Sequence, residues 1–154
     1  MGILENVLLG FGTALTPANL FYCLVGCFVG TLIGVLPGIG PLATLSMLLP
    51  ITYKIDATGS IIMLSGIFYG SMYGGSTTSV LVNIPGEAAS VVMCMDGYQM
   101  ARQGRAGLAL GIAAIGSFIA GTISTVGLNL LSPLLVKVAL KFGPPEYFAV
   151  MTLG

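Results

Sequence analysis

The 154 residues include five Lys and Arg, five Asp and Glu, no His and 56% hydrophobic side chains, for a net charge of zero. Charged residues make up 6% of the chain, against roughly 25% in a soluble domain, so a water-facing globular surface is excluded. The scattered basic residues leave no nucleic-acid footprint, and the lack of His excludes Ser–His–Asp triads, imidazole-held zinc and imidazole proton relays within this chain.

Mean hydropathy is +1.03. No charge occurs from Asn6 to Tyr53, from Ala57 to Gly86, or from Ala106 to Val136. A spanning helix needs about 20 mainly apolar residues, so these runs predict an all-α, multi-pass transmembrane chain. The first charge is Glu5, and the positive n-region of a secretory signal is missing.

Residues 1–16 predict a short interfacial helix or the start of a span. Pro17 suits a first helical turn, and residues 17–36 form an apolar span. Cys23 and Cys27 share one face of it and read as packing residues. Pro37-Gly38-Ile39-Gly40-Pro41 cannot remain regular helix. Ala43–Pro50 resumes as half a helix, and residues 51–59 form a polar turn with Tyr53 and Lys54 at the interface. Ser60–Tyr73 is the next helix, running into a second predicted break at Gly74-Gly75-Ser76-Thr77-Thr78-Ser79. Pro85-Gly86-Glu87 follows, and Ala88–Met100 belongs at a cavity or interface. The positive-inside rule places the Arg102–Arg105 loop in the cytoplasm. Gly107–Leu131 is a clean span that Ser132-Pro133 ends. Lys137 and Lys141 mark an interfacial helix. The run from Tyr147 stops after eight residues, too short to cross a bilayer, so the chain reads as interrupted within an element.

Gly26, Gly30, Gly34 and Gly38 recur at steps of four, as do Gly66, Gly70 and Gly74. Positions i and i+4 share a helix face, so each ladder is a groove that admits a second helix. Helix packing is the plain reading of the ladders. Each ladder leads into one of the two predicted breaks, which predicts that the two helices lie together with their breaks at similar depth. Backbone released inside a bilayer must be buried in protein or line a wet cavity. Transporters use such breaks: half-helix N-termini face anions, and freed carbonyls hold cations. Ser76, Thr77, Thr78 and Ser79 with Asn83 offer neutral ligands for a carboxylate or a hard cation. Their alternative role is back-bonding to their own helix. Glu87 is a helix N-terminal acid, an interfacial residue or a cation ligand. Asp56 and Asp96 suit the interface. Gly38-Ile39-Gly40-Pro41-Leu42-Ala43 formally fits a dinucleotide fingerprint, but it follows an apolar helix where that motif needs a strand. No Walker A sequence is present.

Two longer motifs are distinctive: Gly34-Val35-Leu36-Pro37-Gly38-Ile39-Gly40-Pro41, and the stretch from Tyr69-Gly70-Ser71 through Asn83-Ile84-Pro85-Gly86-Glu87. With Asp96-Gly97-Tyr98-Gln99-Met100-Ala101 and Gly104-Arg105-Ala106-Gly107, they closely resemble the large membrane subunit, TctA, of the tripartite tricarboxylate transporters. The resemblance covers nearly the whole chain. It implies the N-terminal portion of a longer permease of the bacterial inner membrane, with no enzymatic activity and no cofactor beyond a coupling ion. Its partners would be a small membrane subunit and a periplasmic solute-binding protein. Citrate or a related carboxylate would enter with Na⁺ or H⁺. The family motifs would place substrate and ion at Pro37, Gly38, Gly40, Pro41, Gly74, Gly75, Ser76, Thr77, Thr78, Ser79 and Asn83, with Na⁺ at Ser76, Thr77 and Thr78. The competing classes are a non-transporting membrane scaffold or incomplete fragment, and an intramembrane enzyme, for which the acids lie too near the predicted helix ends.

Overall fold

In a computed structural model describing residues 3–153, the apolar runs form α-helices, with no strand among the described residues. They are α1 (Ile3–Ala14), α2 (Pro17–Gly34), α3 (Gly40–Leu48), α4 (Ala57–Val82), α5 (Val91–Arg102), α6 (Ala106–Ala139) and α7 (Pro144–Leu153), with 3₁₀ turns at Leu49–Lys54 and Ala88–Ser90. By internal contacts the chain divides within α6, into Met1–Ala113 and Ala114–Gly154.

In the first unit the two glycine ladders interlock. A Cβ on Gly26 would fall on the Met63 carbonyl, one on Gly30 on Ile67 and one on Gly34 on Ser71. Reciprocally, a Cβ on Gly66 would lie 2.7 Å from the Cys23 carbonyl oxygen, and one on Gly70 would strike that of Cys27. Contact numbers rise together on both helices, so α2 and α4 run parallel. The backbones touch because neither side carries a side chain there.

Parallel neighbours need a returning limb between them. This limb is α3 with the 3₁₀ turn, together about 25 Å long. It runs back down α4: Thr44 Oγ1 lies 3.2 Å from Ser71 Oγ, and Ser60 Oγ donates to the Thr52 carbonyl at 3.0 Å. At the near end, Asp56 caps α4 by accepting from the Gly59 N–H at 2.9 Å. A helix thus starts inside the stretch expected as a polar turn, and Asp, a favoured N-cap residue, is the reason. Asn19 is buried and ties α1 to α2 by donating to the Thr13 carbonyl at 2.8 Å.

Two expectations are corrected. α4 is unbroken through Gly74–Ser79 and ends only at Asn83. No proline removes an amide there, and close packing at the glycines outweighs their poor propensity, about 1 kcal/mol each. Pro133 does not end α6, which continues to Ala139. One missing N–H bends or weakens a helix without terminating it when the flanking turns are intact.

Among the described residues, two helices, Pro17–Gly34 and Ala106–Lys137, are long and apolar enough to cross a membrane. In the second unit, Glu146 Oε2 accepts from the Gly143 N–H at 2.8 Å, closing the turn before α7.

Gly70→Ala should cost about 1–3 kcal/mol, because its Cβ has nowhere to go. Gly111→Ala, with open space around it, should be neutral or gain about 0.5–1 kcal/mol. Thermal unfolding of the purified protein in detergent, followed by helical circular dichroism, checks the contrast.

Candidate functional site

The first break is present. Helix α2 stops at Gly34, and the chain turns through Val35–Ile39 before α3 begins at Gly40. Gly38 and Gly40 have φ of +85° and +64°, a region open to glycine and strained for other L-residues. Gly38 therefore leaves the ladder that its spacing suggested. Helix α3 has no side-chain cap, and Pro41 sits in its first turn. Its first-turn amides, less the one that Pro41 lacks, are thus without side-chain partners. Thr44, one turn in, donates to the Gly40 carbonyl at 2.8 Å and meets Ser71 across the interface. Both hydroxyls are buried, at 0% and 2% exposure. Sequence reasoning passed over this pair; the signal was an alcohol inside each of two apolar helices.

The second break lies later than expected. Asn83 ends α4 with φ +62° and an exposed side chain. Asn tolerates this left-handed conformation, and Ile84, preceding Pro85, is steered out of the helical region. The chain then folds back so that Gly86 lies on Gly75. A Cβ on Gly75 would sit 3.4 Å from Gly86 Cα, and one on Gly86 would collide with Gly75. Further on, Gly97 of α5 packs on Val80, whose Cγ2 would be 2.8 Å from an added Cβ.

Adjacent residues of α4 therefore receive the two breaks. A Cβ on Gly74 would lie 2.5 Å from the Thr31 carbonyl oxygen and 2.8 Å from Val35 N, at the end of α2. Gly75 receives the Pro85-Gly86-Glu87 loop. The breaks share one level, about 10 Å before the C-terminus of α4, because Gly75 is seven residues short of Val82.

The four hydroxyls stand on intact helix. Ser76 donates to Met72 O at 3.1 Å, Thr77 to Tyr73 O at 2.9 Å, Thr78 to Gly74 O at 3.2 Å and Gly75 O at 3.1 Å, and Ser79 to Gly75 O at 2.9 Å. Their protons are committed inward, and what they offer outward is oxygen lone pairs. In this arrangement they suit a cation better than a carboxylate. Thr78 and Ser79 are buried; Ser76 and Thr77 are half-buried. Thr78 lies one turn beyond Gly74, on the face that α2 occupies up to its end.

Glu87 caps the turn before α5. Its side chain accepts from the Ser90 N–H, and its own N–H donates to Ser90 Oγ at 3.2 Å. Among the described residues no cluster of three or more His, Cys, Asp or Glu can hold a metal. A groove lined by Leu45, Leu49, Ile61, Leu64, Ser65, Phe68 and Tyr69 is mainly apolar and lies toward the other end of α4. It has no part in the polar chemistry above.

A family model described as "Tripartite tricarboxylate transporter TctA family" matches residues 20–154. The chain belongs to the TctA family. It is 60% identical, over its whole length, to an uncharacterized 52.8 kDa protein in the TAR-I ttuC′ 3′ region of Agrobacterium vitis, and it spans 31% of that relative's length. No solved structure matches significantly. Both breaks and the hydroxyl cluster lie within the matched segment, in a membrane-embedded transporter family.

Asn83→Gly should leave folding intact, since glycine adopts the same φ freely. Asn83→Val should cost about 1–2 kcal/mol from the strained conformation alone. Detergent melting curves check this, and uptake by the Asn83→Gly variant reads whether the amide itself touches a ligand.

Proposed function

We propose that this chain forms part of a secondary active permease that brings citrate or a related carboxylate across the bacterial inner membrane, driven by Na⁺ or H⁺. Its partners would be a small membrane subunit and a periplasmic solute-binding protein. The observation that carries the reading is the convergence of two chain breaks on Gly74 and Gly75 in a chain of the TctA family. Such interruptions are where transporters hold their cargo.

The two halves of the site suit opposite charges. Around Pro37, Gly38, Gly40 and Pro41, the uncapped N-terminus of α3 presents amides and a positive dipole end, the chemistry that holds a carboxylate. On α4, Thr78, on the face of Gly74, presents only lone pairs, the chemistry that holds Na⁺; Ser76 and Thr77 point to other faces of the unbroken helix. Gly74 and Gly75 let the two sides approach. A cation and an anion bound this close each favour the other, and that mutual preference is the coupling.

The proposal includes a sidedness. Gly97 of α5, the helix that leads into the Arg102–Arg105 loop, packs on Val80 near the C-terminal end of α4, while Lys54 and Asp56 lie at the opposite end of α4. With the arginines in the cytoplasm, the breaks stand nearer the cytoplasmic side. A scaffold reading has one observation in its favour, the inward donation of all four hydroxyls.

Labelled citrate uptake separates the readings, measured with the full-length permease and both partners in vesicles carrying imposed Na⁺ or pH gradients. The proposal expects gradient-dependent uptake. Thr78→Val keeps the shape and removes the oxygen, so it should raise the cation concentration for half-maximal uptake about tenfold, equivalent to about 1.4 kcal/mol, while insertion is unchanged. Uptake indifferent to both gradients, or partner assembly with no citrate movement, would count against transport.

A further inference from the structure

We propose that the Glu87 carboxylate is the charged partner of the co-transported monovalent cation, a proton or Na⁺. The inference rests on the transport reading and assigns the group that confers its ion dependence.

Glu87 follows directly on the Gly86–Gly75 contact, and a Cβ on Gly75 would lie 3.9 Å from Glu87 Cγ. Its side chain thus leans on the turn of α4 that begins the hydroxyl run. It is the one charged residue between Asp56 and Asp96. Its carboxylate accepts from the Ser90 N–H, leaving most of its roughly four acceptor positions open.

No fixed cation of the first unit can neutralise it. Its basic residues are Lys54, Arg102 and Arg105. Lys54 precedes α4, and Gly75 stands about 27 Å along that helix. Arg102 ends α5, about 16 Å along the axis from Val91, and the Arg105 N–H bonds the Met100 carbonyl at 2.9 Å, which holds it at that same far end. The N-terminus of the turn at Ala88–Ser90 offsets part of the charge, but a dipole cannot come and go. A half-buried carboxylate beside an apolar helix, without a fixed cation in its own unit, is suited to a mobile one. The same charge repels an incoming carboxylate until a cation or proton neutralises it. Ordered binding, cation before anion, follows from that repulsion, and with it the coupling.

Glu87→Gln tests this cleanly, because the amide oxygen still accepts the Ser90 N–H and keeps the cap. Labelled citrate movement is measured in vesicles with full-length protein and partners, in three modes: driven by Na⁺, driven by pH, and exchange against internal citrate with no gradient. The expected result is a drop of at least tenfold in uptake under whichever gradient drives the unaltered protein, with exchange retained within about threefold. That gradient identifies the cation as Na⁺ or H⁺. Ser90→Ala, which loosens the cap but keeps the carboxylate, should preserve the ion dependence. Unchanged ion dependence in Glu87→Gln, loss of its exchange along with its drive, or the same loss in Ser90→Ala would each overturn the proposal. Unaltered protein that moves no citrate in any mode would instead overturn the transport reading, and the inference with it.

Discussion

Direct backbone contact between α2 and α4 is the constraint on which the rest depends. Apolar burial gives little drive between helices in lipid, because the solvent is itself apolar; close packing supplies the attraction. Six glycines, three on each helix, bring main chain against main chain over the C-terminal half of α2. That contact sets the register, makes the two helices parallel, and so obliges the intervening chain to return beside them. The composite limb of α3 and a 3₁₀ turn, with its buried Thr44–Ser71 pair, is the consequence.

The same packing fixes where the breaks fall. Helix α2 is shorter than α4, about 27 Å against about 39 Å, and both start together where Gly59 lies against Tyr22. The end of α2 is therefore held partway along α4, at Gly74. The chain leaving α4 folds back to the next residue, Gly75, where a Cβ on Gly86 would have no room. Two peptide segments freed from helices are thus held within one turn of α4. Inside a bilayer such segments need protein or water around them, and in the proposed transport reading both charges of a carboxylate–cation pair would find complementary groups there. An uncapped α3 N-terminus, lone-pair-bearing hydroxyls and a single acid occupy this short stretch.

Much of this was legible in the sequence. The charge-free runs announced helices for a membrane. The ladders at Gly26, Gly30, Gly34 and at Gly66, Gly70, Gly74 announced their mutual packing, and Pro37–Pro41 announced the first break. Gly74–Ser79 misled, because a Gly-Gly pair beside four hydroxyls looks alike whether the backbone opens or another backbone approaches. Proline was the better guide: Pro85 lies just beyond the true end of α4. It was an imperfect one, since Pro133 sits inside α6, where intact neighbouring turns absorb one lost hydrogen bond. Asp56 and Asn83, read as interfacial and ligating, took local positions as helix caps, and Glu87 took the first of its three readings, the acid at a helix N-terminus; such roles depend on where each helix begins or stops.

By itself the sequence determined class and family: apolar runs dictate membrane helices, and the long glycine- and hydroxyl-bearing motif belongs to TctA. These are local properties, written in composition and spacing. Only the tertiary structure decided that α2 and α4 run parallel, that Gly74 and Gly75 each receive a different break, and that the hydroxyl protons point inward. Those facts depend on which backbone approaches which, and spacing along one helix shows the face that is free without naming what fills it.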